Sequence, residues 1–360
     1  MILWIMMDRH KHAPPTIWEE FFSVFGTLSL FIVLSLSTPL HASGAGEVTL
    51  LSPIDCAGSD CFIQRMPDQQ LGIGFGDHRC GPLSSNGYTS TDFRVVRVAE
   101  LQRRIPVVAS LGGVVEGVRD GMPDGIFSGK RAAFLKGKEC GNGVYIRHDG
   151  GWKTQYCHLR KGSILVVRGE RVVAGQKLGE MGLSGLTNFP HLEFRVQRNG
   201  TKIDPFTGDV IEAGCGSAQS TLWVSSTVEG MIPAATQLVS AGFANKVPTL
   251  PEVVLGLHDR GNVLPESPAL LFWVEVTGVE KGDVEHFAII APDGTTMIEN
   301  ISAPYGSGRA LHLGYAGKKL STPLKRGEYT GAYRLVRKGN EGEQTVVSVR
   351  RKITVTDKEQ

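Results

Sequence analysis

The feature that most constrains the fold is a series of short segments between Tyr88 and about Asp204, in which apolar and polar residues alternate. The segments are separated by glycine-rich turns and read FRVVRVA, IPVVASLGGVVEGV, GVYIRHDGGWKTQYCHL, SILVVRGERVVAGQKLGEMG and HLEFRVQRNGTKIDPF. Alternation with a period of two residues is typical of strands with one buried face, and HDGGW and RNGTK are typical of tight hairpin connections. The stretch therefore predicts an antiparallel sheet domain with few or no long helices.

A second series of alternating segments runs from Val253 to Thr356 and contains no cysteine. It includes ALLFWVEVTGV, HFAIIAPDGTTMIEN and QTVVSVRRKITV, at intervals typical of an immunoglobulin-like β-sandwich. Between the two series, residues 213–252 have little charge and weak periodicity, which indicates a connector. We therefore expect a mainly β protein, with an antiparallel β domain in residues 46–212, a connector and a sandwich in residues 253–360.

The amino terminus has the pattern of an export signal. Residues Phe21 to Leu36 are continuously apolar, and the small residues that follow favour cleavage after Ala42 or Ala45. An uncleaved anchor is the alternative, although the apolar run is short for a bilayer span. Both interpretations of residues 1–45 predict a protein exported to the periplasm or cell envelope, and an uncleaved segment would be its only contact with the membrane.

The cysteines indicate disulfides. The chain has 6 cysteines, and an even number in an oxidising compartment favours pairing. Cys56 and Cys61 are spaced to close a small loop, but six cysteines allow about fifteen complete pairings, and the sequence leaves the choice open. The spacing differs from that of a paired CxxC module, so we do not expect zinc to be bound by thiolates.

The segment FPHLEFRV presents a polar face that is a candidate metal strand. In an extended chain His191, Glu193 and Arg195 lie on one face and the apolar residues on the other. His191 and Glu193, together with His158 and Asp92, form a plausible hydrolytic metal site. Such a site needs metal ligands, an open coordination position for water and a group that accepts or donates a proton. The same pattern also occurs on any strand with one solvent-exposed face. On such a strand His191 would form a hydrogen bond with Glu193 and bind no metal.

The order of the short motifs resembles the lysostaphin-like, LytM-type zinc endopeptidases, which cut the peptide bridges of peptidoglycan. The chain contains, in the family's order, YTSTD, VVASLGGVV, GNGVYIRH, YCHL, VVRGERVVAGQKLGEMGLSG, PHLEFRV and KIDPF. The resemblance covers about Gly81 to Phe206. It implies the duplicated hybrid motif fold, an active-site groove on one face of the sheet, and zinc as the cofactor.

The resemblance also assigns roles to single residues. Asp92 matches the aspartate zinc ligand, and His158 and His191 match the two histidines that aid catalysis. The position of the first zinc histidine holds Tyr88, and that of the second histidine of the HLH motif holds Glu193, so the implied metal ligands are Asp92 and Glu193. A neutral phenol is a poor zinc ligand, and a set of Tyr, Asp and Glu would weaken the Lewis acidity of zinc.

Three explanations of the changed ligands are open. The first is a family member that keeps the groove and has lost the zinc. The second is a working hydrolase in which Glu193 binds metal and His78 substitutes for Tyr88. The third is that the first signature lies elsewhere in the chain. His148, the first residue of the HDGGW hairpin, is expected to have a structural role.

The function expected from these patterns is that of a cell-envelope protein of the LytM type with lost or impaired zinc catalysis. Its expected partner is peptidoglycan or an envelope hydrolase that it regulates. The alternative is an active metalloendopeptidase that cuts peptidoglycan cross-links with an altered ligand set. The net charge of +2 and the scattered basic residues give no support for nucleic-acid binding.

Overall fold

The computed structural model describes residues 48–56, 61–126, 135–216, 220–224, 228–232, 234–259, 263–340 and 342–357. The predicted signal peptide or anchor, including its cleavage sites, lies outside these residues. Among the residues described, no helix is both long enough and apolar enough to cross a membrane.

The first ten strands form two antiparallel sheets. In chain order they are β1 (Cys61–Arg65), β2 (Thr91–Val95), β3 (Pro106–Val108), β4 (Gly113–Arg119), β5 (Asn142–Arg147), β6 (Trp152–Leu159), β7 (Arg171–Val172), β8 (Lys177–Glu180), β9 (His191–Arg198) and β10 (Thr201–Ile203). The larger sheet has the order β1-β2-β9-β6-β5-β4-β7, with β10 on β9, and β3 pairs with β8 in the smaller sheet. The site described below lies on the larger sheet.

Tight hairpins join neighbouring strands at the two predicted positions. Gly150 and Gly151 have φ angles of 66° and 78° between β5 and β6. Asn199 and Gly200, with φ angles of 50° and 84°, connect β9 to β10. Two successive residues with positive φ match the right-handed twist of the flanking strands, which is why Asn and Gly are favoured there.

Strand β9 has the two faces that its alternation predicts. Leu192, Phe194 and Val196 are at most 1% exposed and belong to the main apolar core. On this side the ring of Trp223 packs against Phe93 and Phe194. Side chains alternate along a strand, so Glu193 of β9 lies on the other face. Asp92, which precedes Phe93 on β2, lies on that face for the same reason.

The remaining strands form two further sheets around a second core. They are β11 (Gln237–Ala244), β12 (Ala269–Val279), β13 (Val284–Ile290), β14 (Thr296–Ile301), β15 (Arg309–Lys319), β16 (Gly327–Gly339) and β17 (Gly342–Val355), with the short helix α1 (Leu250–Val254) after β11. One sheet has the order β11-β12-β15 and the other β14-β13-β16-β17. Phe272, Phe287 and Tyr333 pack between them. The prediction of a mainly β protein is confirmed, and the immunoglobulin-like class of the second part stays a prediction.

The segment interpreted as a connector contains strand β11, which pairs with β12 along its length. Its periodicity is weak because small residues replace the usual apolar alternation. A Cβ atom at Gly242 would lie 2.8 Å from the indole of Trp273, so only glycine fits under this ring. Residues 237–244 are therefore a strand of the C-terminal sheets, and the predicted domain boundaries remain predictions.

Disulfides join the cysteines in the pairs Cys56–Cys61, Cys80–Cys215 and Cys140–Cys157. The prediction that the cysteines form disulfides is confirmed, including the small loop closed by the first pair. The third pair ties the residues that precede β5 to strand β6, next to the candidate site.

Candidate functional site

The pairing of β2 with β9 places two carboxylates side by side. Asp92 lies directly opposite Glu193 in the register, and Cys157 of β6 lies opposite Glu193 on its other side. Possible ligand atoms of His158, His191 and Glu193 lie within 4.8 Å of one another. His191 Nε2 is 3.5 Å from Asp92 Oδ1. The structure thus brings together the four candidate residues of the sequence analysis.

His158 is held in a strained backbone conformation at the end of β6. Its φ angle is 64°, in the left-handed region, which costs a non-glycine residue about 1–2 kcal/mol. Its amide donates to Cys140 O at 2.8 Å, and its Nδ1 lies 2.7 Å from Ser184 O. Since a carbonyl only accepts hydrogen bonds, Nδ1 carries a hydrogen, and Nε2 faces Glu193 Oε2 at 3.3 Å.

His191 is buried and neutral. Burial lowers its pKa well below the ordinary value, and the neighbouring His158 lowers it further. Its Nδ1 donates to Phe189 O at 3.0 Å, so the lone pair is on Nε2 and points toward Asp92. The orientation of this ring is therefore fixed by the backbone that precedes β9.

Asp92 is occupied by a cation and a phenol. Arg65, at the end of β1, places Nε 3.4 Å from Asp92 Oδ2, and its guanidinium lies 4.7 Å from the centre of the Tyr88 ring. The Tyr88 hydroxyl donates a short hydrogen bond to Asp92 Oδ1. Burial raises the pKa of Asp92 to about 6 although Arg65 opposes the rise. The carboxylate is consequently mostly ionised at neutral pH. Its Oδ1 accepts the hydrogen bond from Tyr88, whereas its buried Oδ2 lies near Arg65 but accepts no hydrogen bond among the described residues.

Glu193 is paired in the same way. Arg195 Nη2 donates to Oε1 at 2.8 Å, and Ser90 Oγ donates to the same oxygen at 2.9 Å. Burial alone would raise the pKa of Glu193, but the hydrogen bond from His158 and the charge of Arg195 outweigh it and lower the pKa to about 2. Glu193 is therefore ionised over the whole physiological pH range.

The ligand set that the family resemblance implies, Tyr88, Asp92 and Glu193, does not fit zinc, whereas ligand atoms of His158, His191 and Glu193 lie close enough together to hold a metal ion. Burial and the charge of Asp92 raise the pKa of Tyr88 well above its ordinary value, so the phenol stays protonated and acts as a donor. The two carboxylates, Asp92 and Glu193, already face the guanidinium groups of Arg65 and Arg195. A dication added here would meet two fixed positive charges in a poorly solvated site, which is electrostatically unfavourable.

The structure does not bring His78 to this site. Its ring stacks on Phe206 at 4.9 Å, and Phe206 packs against Trp223 on the opposite, core-facing side of β2 and β9. Burial lowers the pKa of His78 to about 4. The arrangement gives no support to the hypothesis that His78 substitutes for Tyr88 as a ligand.

His148 has the structural role that we expected. It is buried, and its ring nitrogens lie 2.8 Å from Gly112 O and 2.8 Å from Thr154 Oγ1. Both ring nitrogens are thus used to tie β6 to the residues before β4.

Two arginines pair with the carboxylates of the site. Arg195 shares a face with Glu193 and could be placed from the alternation alone. Arg65 is separated from Asp92 by a long loop, and no motif marks it, so sequence reasoning did not identify it. Only the pairing of β1 with β2, in which Arg65 lies opposite Asp92, brings the two together.

A groove with a volume of about 510 Å³ leads away from Glu193 and Arg195 across β6, β5 and β4. Its lining includes Gly117, Arg119, Glu139, Tyr145, Gln155 and the Cys140–Cys157 disulfide. Charges of both signs and one aromatic ring make it suitable for a polar, elongated ligand such as a peptide.

Comparisons with known proteins identify the family of the segment that contains three of the site residues. Residues 99–205 match the sequence profile of Peptidase family M23. His158, His191 and Glu193 lie within the matched residues, whereas Tyr88 and Asp92 precede them.

Curated relatives are similar over a part of the chain. The peptidoglycan DD-endopeptidase ShyC of Vibrio cholerae is 41% identical over 73 residues, which are 20% of this chain and 16% of the relative. ShyB of the same organism, also a peptidoglycan DD-endopeptidase, is 34% identical over 102 residues, 28% of this chain and 24% of the relative. The matches thus span at most about a quarter of these relatives' length.

Among solved structures, a zinc-containing peptidase from Vibrio cholerae aligns with 27% identity and a TM-score of 0.27, over 42% of this chain and 40% of that one. The family resemblance stated from the motifs is confirmed by the profile and the curated relatives. The chain therefore carries a domain of peptidase family M23, related to the peptidoglycan DD-endopeptidases.

Proposed function

We propose that this M23 domain binds peptidoglycan peptides in its groove without zinc-dependent hydrolysis. The observation that carries the proposal is the pairing of both carboxylates at the metal-ligand positions with arginines, Asp92 with Arg65 and Glu193 with Arg195. Like charges directly opposite each other on neighbouring strands are destabilising. A metal ion would remove this repulsion, and here two guanidinium groups remove it instead.

The choice of ligand and location rests on the relatives. Those that match this domain are named as peptidoglycan DD-endopeptidases, which supports peptidoglycan as the ligand and the cell envelope as the location. An exported protein of this kind either binds the wall itself or uses the groove to regulate an envelope hydrolase. An active metalloendopeptidase with an altered ligand set is the less favoured candidate, because the arginines compete with the metal.

Metal content tests the loss of zinc. We expect the purified protein, analysed by elemental mass spectrometry, to contain far less than one zinc per chain. The variant Tyr88→His/Glu193→His/Arg65→Gln supplies imidazoles at both changed positions and removes one cation, so it should retain zinc close to one per chain. The double variant Tyr88→His/Glu193→His, in which Arg65 is intact, is the matched control and should retain less zinc than the triple variant. Near-stoichiometric zinc in the unmodified protein would overturn the proposal.

Binding to the wall is tested by co-sedimentation with purified peptidoglycan sacs. Gly117 lines the groove, and a Cβ atom there would meet only Tyr145 Cβ, at 3.8 Å. Gly117→Phe should therefore fill the groove without disturbing the sheet, and we expect it to abolish co-sedimentation. Gly306→Phe, in open space on the C-terminal part, is the control and should sediment like the unmodified protein. Failure of the unmodified protein to sediment would rule out wall binding and leave a protein partner.

A further inference from the structure

We propose that the outer face of the sheet β14-β13-β16-β17 carries a second binding site, for a short peptide with a free amino and a free carboxyl end. The proposal concerns the C-terminal part of the chain and is independent of the groove in the M23 domain. It rests on a depression of about 410 Å³ in this face and on the charges at its two ends.

The strand register fixes the shape of the depression. One row across the sheet runs from Glu299 through Ala288 and Ala332 to Arg350, each residue directly opposite the next. The two alanines are the low floor, and the long side chains at the ends of the row are its walls. Three strand spacings of about 4.8 Å place the two end residues about 14 Å apart at the Cα atoms.

A second cation reinforces one end. Arg334 lies opposite His286 on one side and Ser348 on the other, so it is diagonal to Arg350 across β16 and β17. Diagonal neighbours on one face are about 7–8 Å apart, within reach of two long side chains that converge on one group. The depression therefore has two guanidinium groups near one end and one carboxylate at the other.

These charges are available to a ligand. Within the described ranges, no ion pair or hydrogen bond engages the side chains of Glu299, Arg334 and Arg350, and all three residues are exposed. Other charges on this face differ in that respect, because Lys352 Nζ, for example, lies 2.7 Å from Glu328 Oε1. The ends of the depression thus offer unneutralised charge of opposite sign.

The charge pattern and length define the ligand class. Guanidinium groups bind a carboxylate in a planar, often bidentate geometry, and a carboxylate binds an ammonium group. Two charge-assisted hydrogen bonds of about 2.8 Å each take up part of the distance of about 14 Å and leave about 8 Å for the ligand. An extended peptide spans at most about 3.3–3.6 Å per residue, so two or three residues bridge the charged ends. Small side chains such as methyl groups would rest on Ala288 and Ala332. A short alanine-rich peptide, amino end at Glu299 and carboxyl end at the arginines, fits these features.

The experiment uses the whole protein and trialanine with free ends as the probe. We expect calorimetric titration to give a dissociation constant on the order of 1 mM or tighter. N-acetyl-trialanine and trialanine amide each lack one terminal charge and should bind about tenfold more weakly. Equal binding of the capped and free peptides, or no heat of binding for trialanine at about ten times that concentration, would overturn the proposal.

Variants locate the site. Arg350→Gln should weaken trialanine binding about tenfold and remove the preference for the free acid over the amide. Lys352→Gln removes one positive charge from the same face and should bind trialanine as the unmodified protein does. If both variants weaken binding equally, the effect is general electrostatics and the site is refuted. Gly117→Phe should keep trialanine binding and Arg350→Gln should keep co-sedimentation with peptidoglycan, so the two proposals fail separately.

Discussion

At the scale of single residues, the site shows how two substitutions change the chemistry of a whole constellation. At the position that the family resemblance assigns to a zinc histidine, Tyr88 donates a hydrogen bond to Asp92. At a second such position, Glu193 adds a carboxylate that lies opposite Asp92. The added carboxylate increases the demand for positive charge, which Arg65 and Arg195 supply from within the protein. The sequence identifies the substitutions but not the arginine on β1 that completes the arrangement.

His78 provides a residue-scale prediction about acid stability. Burial lowers the pKa of His78 from 6.5 to about 4. Between these two pH values the imidazole is protonated in the unfolded chain but not in the folded protein. The stability contribution is complete above pH 6.5 and is lost as the pH falls toward 4. His78→Phe keeps the stack on Phe206 and removes this titration.

We expect the variant to match the unmodified protein at pH 7, and to have a free energy of unfolding about 2 kcal/mol higher at pH 4.5. Urea unfolding at the two pH values measures the difference, in which contributions from other titrating groups cancel. The same loss of stability on acidification in both proteins would contradict the explanation.

At the scale of elements, the corner before β5 positions the histidine of β6. Gly141 has a φ angle of 65°, and a Cβ atom there would lie 2.4 Å from the carbonyl carbon of Ser184. Ser184 O in turn accepts the hydrogen bond from His158 Nδ1. Close backbone packing at this corner therefore sets the orientation of a candidate site residue.

Gly141→Ala should be strongly destabilising because it adds a backbone clash to an unfavourable φ angle. We expect a loss of about 3 kcal/mol or more in the free energy of unfolding. Gly121→Ala is the matched control, because Gly121 also has a positive φ, 96°, but its Cβ atom would meet nothing within 4 Å. This variant should lose only about 1 kcal/mol. If urea unfolding gave equal losses of unfolding free energy for the two variants, the backbones of Gly141 and Ser184 would not be closely packed.

At the scale of the whole molecule, a buried ion pair joins the two cores. Arg94 Nη2 of β2 lies 2.5 Å from Glu275 Oε1 of β12, and both side chains are 0% exposed. Gln64 and Ser240 complete the hydrogen bonding of the pair. Arg94 is two residues from Asp92 on β2, so the C-terminal sheets are attached directly to a strand of the candidate site.

Removing one partner of this pair leaves the other charge buried. We expect Glu275→Ala to lower the free energy of unfolding by about 3–5 kcal/mol. Arg94→Met/Glu275→Leu, which removes both charges, should recover most of that loss. Lys325→Ala removes an exposed partner of Asp293 and should leave stability unchanged. Thermal and urea unfolding measure all three variants, and a small effect of Glu275→Ala would show that the pair does not couple the cores.

The sequence by itself determined the mainly β class, the two hairpins, the polar face of β9, the presence of disulfides and the family, because alternation, turn residues and motif order are local properties. The tertiary structure decided which cysteines pair, that residues 237–244 form a strand, and that Arg65 and Glu275 find their partners in β2. These contacts join residues that are far apart in the chain, and no local pattern encodes them. The same reason explains the candidate site: its four predicted residues could be proposed from motifs, whereas the arginine at Asp92 depends on the pairing of β1 with β2.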